Sequence, residues 1–308
     1  MMADRFPSDC PICGCSFQDS LYLRLSKNNL QSKRCINCEA VFVINSPINV
    51  ENASNFYTMD AYKGSRELQD TDLYSGYYDN CFVDYDVNNE TIKQFINIIN
   101  NIRCLVPVKE RNIRILDVGC ATGVFLDIAR KLNFDVTGVE ISKELAEYAR
   151  ANFKISVFDN LGSISEENYF DVITLNDVIE HIPSAQLNSM MTKLTQLLAP
   201  NGYIVIRTPI ENSLLRTLAK VIYYFSFRRS EYLLHLFYSY EHLINFSDKS
   251  LRLLGSKIGL SVALITREEE DPERLNIGLI AKLILRVLYL LAKPFSLQHK
   301  AIYFYKLK

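Results

Sequence analysis

The middle of the chain holds carboxylates and glycines where chemistry is expected. Asp117 opens the loop Asp117-Val118-Gly119-Cys120-Ala121-Thr122-Gly123 at the end of an apolar run. Glycines at 119 and 123 let a backbone turn sharply and approach a ligand closely. The loop has neither GxGxxG spacing nor a GK[ST] ending, so a pyrophosphate cradle is poorly supported. An acid at that strand end suits a ligand with positive charge. Glu140 closes the next apolar run, where a carboxylate can accept from both hydroxyls of a ribose. Asp159 follows a third run and is placed to accept from an adenine amino group. Asn176 and Asp177 follow a fourth.

A second constellation lies near the start. Cys10-x2-Cys13 and Cys35-x2-Cys38 are separated by 21 residues. Two such knuckles complete a tetrahedral four-thiolate zinc site with no open position, so the expected metal is structural. Cys15 is read as a bystander. The start of the chain shows no apolar leader, and paired cysteines without one read as metal rather than disulfide. The expected compartment is the cytoplasm.

These residues need elements to position them. The chain has 308 residues, 48% of them apolar and 22% charged, with a net charge of −1. That balance lacks the basic footprint of a nucleic-acid binder, so no nucleic-acid partner is expected. Helical and strand patterns alternate from about residue 89. Helices are expected at 89–104, 122–132 (capped by Thr122), after Ser142, and at 185–198, the last stopped by Pro200-Asn201-Gly202. Strands are expected at 113–118, 134–140, 153–158, 170–176, 203–208, 260–266 and 301–307. This alternation predicts an α/β fold: a Rossmann-like, seven-stranded, mostly parallel sheet with helices on both faces. Three zones follow: a zinc-binding module at 1–45, a tyrosine-rich connecting or lid segment at 46–88 (Tyr74, Tyr77, Tyr78, Tyr85), and the α/β domain at 89–308.

LDVGCATGVFL (116–126), Glu140, FDVITLNDVIEHIP (170–183) and LAPNGYIVIRTP (198–209) together resemble the class I S-adenosylmethionine-dependent methyltransferases. The resemblance covers about 110–210 well and extends loosely to 266. It implies S-adenosyl-L-methionine as cofactor, held by Asp117, Gly119, Cys120, Gly123, Glu140, Asp159 and Asn176. Ala121 stands where the commonest form of the motif has glycine, which implies that this position does not need a positive φ. His181 lies in Asp177-Val178-Ile179-Glu180-His181, on the face where the methyl group should sit. A histidine there is a candidate base, with a structural role as the alternative. The same segment resembles ubiquinone-pathway O-methyltransferases, whose matching residues are linked to a divalent ion; Asp177, Glu180 and His181 fit that pattern. Tyr240-Glu241-His242-Leu243 resembles a segment of zinc-bearing deoxysugar C-methyltransferases in which the matching histidine is the base. Tyr240 replaces a histidine of that pattern, and a capping role for this segment stays open.

Two apolar insertions interrupt the domain, at about 210–240 and 270–298. In the second, Lys282, Arg286 and Lys293 share one helical stripe. Either residues 277–297 form an interfacial helix on an anionic membrane, or the helix is buried against the other insertion with its basic stripe in water. The leading expectation is an enzyme that methylates a small-molecule, sugar, glycan or lipid-linked acceptor. A ubiquinone-type O-methyltransferase acting on a prenylated phenol is the second reading. A zinc-ribbon binding protein with a non-catalytic cofactor fold is the third. Oligomeric state is not legible.

Overall fold

A computed structural model describes residues 7–17, 21–26, 29–48, 53–59, 82–107, 111–165 and 167–307. Tyr74, Tyr77 and Tyr78 lie outside them. The small N-terminal strands are β1 (Leu23–Leu25), β2 (Leu30–Arg34) and β3 (Val41–Val43). Helix α1 (Glu90–Leu105) follows, with the Asn89 side chain accepting from the Thr91 N–H. Then come β4 (Arg114–Val118), α2 (Val124–Lys131), β5 (Asp135–Val139), α3 (Lys143–Phe153), β6 (Ser156–Phe158) and β7 (Phe170–Asn176). Next are α4 (Ser184–Leu197), β8 (Leu198–Pro209), α5 (Leu214–Phe225), β9 (Ile244–Asn245) and α6 (Asp248–Lys257). β10 (Leu260–Glu268), α7 (Leu279–Ala292) and β11 (Lys300–Leu307) complete the order.

The large sheet has seven strands in the order β10-β11-β8-β7-β4-β5-β6. All its pairings are parallel except those of β11, which runs antiparallel to both β8 and β10. Alternate residues of the strands feed two cores. Leu116, Ile173, Ile204 and Tyr303 pack with α4 and α6 on one face. Ile115, Val172, Val205 and Phe304 pack with α1, α2 and α3 on the other. The central strands are buried on both faces, which is why they read as unbroken apolar runs.

Several expected boundaries move. Thr122 does not cap its helix: Gly123 holds the cap position, at φ 88°, and α2 starts at Val124. Phe153 ends α3, so the third strand begins at Ser156. Pro200-Asn201-Gly202 lies in a bulge of β8, with Asn201 at φ 61°, and regular pairing with β7 resumes at Tyr203 opposite Val172. β8 begins at Leu198, directly after α4, and an irregularity in its pairing with β7 falls between Phe170 and Val172.

β9 is too short to announce itself in sequence. It pairs with β3, so the small sheet runs β1-β2-β3-β9 and includes residues from far along the chain. The cysteine-bearing hairpins share a core with α4, α6 and the large sheet. On the other side, Leu23, Leu25 and Val41 pack with Ala219, Tyr223 and Tyr238 of the first insertion.

Candidate functional site

The site is built at the carboxyl ends of β4, β5 and β7. Asp117 is buried, and its Oδ1 accepts from Thr174 Oγ1 (2.6 Å) and Asn176 Nδ2 (3.1 Å). Burial pushes its carboxyl up to about 7, with a further push from Glu140 that the two hydrogen bonds only partly offset. Glu140 lies one strand over. Its Oε2 accepts from the Ala121 N–H and its Oε1 from the Ser142 N–H, both at 2.8 Å. Burial raises this carboxyl too. Each carboxylate oxygen keeps a second lone pair, so acceptance from a ribose stays chemically open.

The loop between them is held tightly. The N–H groups of Gly119 and Cys120 both donate to the Val139 carbonyl. Gly119 has φ 73°, and a Cβ there would meet Val178 Cγ2 at 2.5 Å. Only glycine serves both demands. The Cys120 thiol turns away from the loop's outer surface, and a Cβ added at Gly138 would meet its sulfur at 2.6 Å. Burial raises that thiol well above its usual range. Asp159 is more open and pairs with Arg150 at 2.7 Å.

Ala121 departs from expectation: its φ is +50°, in the left-handed region. An L-residue there is strained by about 1–2 kcal/mol, against about 0.5–1 kcal/mol of extra unfolded-chain freedom for glycine. Ala121→Gly is therefore expected to stabilise the fold by about 0.5–1 kcal/mol in a denaturant titration. A loss of stability would show that the alanine methyl makes compensating contacts.

Val178 links the loop to the second group of candidates. Just beyond it, Glu180, His181 and His242 bring one ligand atom each to within 4.8 Å of one another. His181 Nδ1 lies 2.8 Å from the Glu241 carbonyl, so that nitrogen carries the proton and donates. The His181 ring packs edge-on between His242 (4.9 Å) and Tyr57 (5.7 Å). Glu180 accepts from Thr208 Oγ1 through one oxygen, and burial beside Asp177 pushes its carboxyl up to about 8. Desolvation, then the charges of His181, Arg216 and Lys300, holds His242 well below the usual imidazole range.

Asp177 is drawn elsewhere. It sits at φ 55° and pairs with Arg207 and with Lys300 (3.1 Å). Burial opposes its ionisation, but the two cations outweigh burial and keep the carboxyl below its usual range. The Asp177-Glu180-His181 triad is thus not the set that converges; His242 takes the place of Asp177 beside Glu180 and His181.

Arg207 and Lys300 were missed in the sequence, as was a second buried network. Glu211 accepts from Tyr238, Arg216 and Lys220, while Arg216 donates to Asn245 Oδ1 at 2.6 Å. Asn245 Nδ2 donates to the His242 carbonyl, so this network positions the His242 loop. The available signal was a cation inside the apolar run of β8. Its distance from its partner hid the pairing: Arg207 lies 30 residues from Asp177, and Lys300 lies 123 from it.

The four cysteines also converge. Cys10 and Cys38 sulfurs lie 3.5 Å apart, Cys13 and Cys35 sulfurs 3.4 Å apart, and all four fall within 4.8 Å of one another. Four thiolates on a Zn–S radius of about 2.3 Å stand about 3.8 Å apart, so the set fits a tetrahedral zinc ion. Each knuckle turns through a left-handed residue, Gly14 at φ 75° and Glu39 at φ 66°.

Comparisons with known proteins give the family and the fold. The profile of a family described as "methyltransferase domain" matches residues 90–264. Two similar curated proteins are ubiquinone biosynthesis O-methyltransferases. The one from Bordetella avium is 25% identical, over 44% of this chain and 57% of its own length. That from Alkalilimnicola ehrlichii is 28% identical, over 44% and 53%. The chain thus spans about half the length of these relatives. Among solved structures, the 1,6-didemethyltoxoflavin-N1-methyltransferase of Burkholderia thailandensis, with bound S-adenosylhomocysteine, superposes over 89% of this chain and 98% of its own. Its TM-score is 0.50 at 12% identity, a likeness of fold alone.

Proposed function

The chain belongs to the methyltransferase-domain family, and from that premise we propose that it moves the methyl group of S-adenosylmethionine to a small-molecule acceptor. The observation that carries the donor half is the convergence of Asp117, Glu140 and Asn176 around the tightly turned Gly119 loop. When bound, the donor supplies an electrophilic methyl group on a sulfonium, open to in-line displacement. The chain's residues do the rest. Glu140 accepts from the ribose hydroxyls, and Asp117 offers negative charge to a cationic ligand. Asp159 stands at the third strand end for the adenine amino group. The buried walls align the reactants and exclude water.

His181 and His242 are proposed to face the acceptor. With Nδ1 of His181 donating to Glu241, its Nε2 is the nitrogen able to take a proton from a hydroxyl. His242, held neutral by desolvation, adds a second acceptor nitrogen. A sugar, a glycan, a lipid-linked species and a prenylated phenol are the acceptor classes proposed for trial. The zinc ion is proposed as a structural group held by Cys10, Cys13, Cys35 and Cys38.

The test is calorimetric donor binding across pH 5.5–8.5, followed by mass spectrometry of acceptor candidates incubated with labelled donor. Asp117 is largely protonated below about 7 in the donor-free protein, and a cation favours its ionised form. Binding should release protons near neutrality, and affinity should fall as pH drops below about 7. No donor binding at any pH would overturn the reading and leave a non-catalytic zinc-module protein.

A further inference from the structure

Helix α7 is turned inside out for a water-facing element. At 100° per residue, Leu279, Leu283, Val287 and Leu290 form one ridge with Ile280, Ile284 and Leu291 beside it. Together they span an arc of roughly 140°. All seven are exposed, Leu279 at 85%. A surface helix ordinarily buries its widest apolar arc. Here only Ala292 is fully buried, and Leu285, Leu288 and Tyr289 form the half-covered side toward the protein. Of the two readings of this helix, burial of its apolar arc against the other insertion is not what the fold provides.

A second element adds to it. The end of α5 and the turn after it expose Val221, Ile222, Tyr224, Phe225 and Phe227, the last two at 82% and 88%. α5 and α7 touch each other, and the first residue of α5 is held to the segment after α7 where the Leu214 N–H donates to the Leu297 carbonyl. Of the 20 exposed large apolar side chains among the described residues, eight lie at 279–295 and six at 221–232. An apolar area so concentrated marks an interaction surface.

The flanking charge selects the partner. No acid occurs between residues 212 and 230 or between 277 and 308. Arg228, Arg229 and Lys293 are exposed beside the apolar side chains. Lys282 and Arg286 border the α7 arc at one edge, where Glu273 pairs with both. A second copy of this chain, meeting the same face about a two-fold axis, would bring like charges together. An anionic bilayer offers both an apolar interior for the arc and negative headgroups for its rim. No helix among the described residues is long and apolar enough to cross a membrane. We propose that α7 and the end of α5 seat the protein on the surface of an anionic lipid bilayer. This inference does not rest on the donor chemistry, and its failure would leave that reading intact.

The test is flotation of the full chain with vesicles of phosphatidylcholine alone or mixed with phosphatidylglycerol. The protein should float with the anionic vesicles, far less with the neutral ones, and less as salt rises. A combined Ile280→Glu, Ile284→Glu, Leu291→Glu variant should lose at least about tenfold in partitioning. Arg228→Glu with Arg229→Glu should lose at least about fivefold per position. Both variants change exposed side chains, and unaltered thermal stability and donor binding would confirm their folding. The proposal is overturned if the folded protein does not float with anionic vesicles, or if the triple variant floats as well as the parent. It is equally overturned if sedimentation shows a dimer that the triple variant abolishes while vesicle binding is absent.

Discussion

Cys38→Ser is expected to abolish zinc binding and to lower the melting temperature by at least about 8 °C. Structural zinc sites bind with an apparent free energy of about 10–16 kcal/mol, and that energy is coupled to folding. Loss of even about 5 kcal/mol in a chain of this size shifts the midpoint by about 8 °C. The effect should not stay within the hairpins. The Cys38 carbonyl accepts from Ser247 Oγ at 2.6 Å, and Ser247 caps α6 in a reciprocal pair with Ser250. β9 pairs with β3 only two residues beyond His242. The variant should therefore become sensitive to proteolysis near 240–247 as well as near its N-terminus. Metal analysis, calorimetry and limited digestion measure these outcomes. A metal-free parent with an unchanged midpoint would refute the structural zinc.

Glu140→Ala should weaken donor binding by about 3 kcal/mol, roughly a hundredfold. The carboxylate is the expected partner of the ribose, and charge-assisted bonds of this kind contribute about 1.5–3 kcal/mol each. The substitution also strips Ala121 and Ser142 of the acceptor for their N–H groups, which loosens the loop that must close on the donor. Glu140→Gln keeps one acceptor oxygen and should lose less. Calorimetry with both variants separates the two contributions. An affinity within about threefold of the parent for Glu140→Ala would show that the ribose is held elsewhere.

What could be read in the sequence follows from how local each signal was. Of the seven large-sheet strands, β4, β7, β8 and β11 were legible because strands buried on both faces write continuous apolar runs, and β5, β6 and β10 were legible from the alternation of helix and strand around them. Asp117, Gly119 and Glu140 were legible because each combines a residue type with a strand end. The cysteine pairs carried their own spacing. The left-handed backbone at Ala121 was not legible, since an alanine does not advertise a positive φ. Nor was β9, two residues long and defined only by its partner β3. The Asp177-Arg207-Lys300 cluster depends on β11 entering the sheet beside β8, which no local pattern reveals. The outward face of α7 was ambiguous for a simple reason: an apolar arc looks the same in sequence whether it faces a core or a membrane.

The position of β11 has a consequence for biogenesis. It lies inside the large sheet, between β8 and β10, yet it is made after both. While the nascent chain lengthens, β8 and β10 each hold an unpaired edge with apolar side chains, Ile204, Val205 and Ile206 in β8 and Val262, Leu264 and Ile265 in β10, with nothing between them. Such edges recruit foreign strands. Completion of the sheet must also await a pairing between residues far apart in the chain, and non-local closures of that kind are slow. Holdase chaperones would therefore act on this protein chiefly in the interval between synthesis of β10 and arrival of β11.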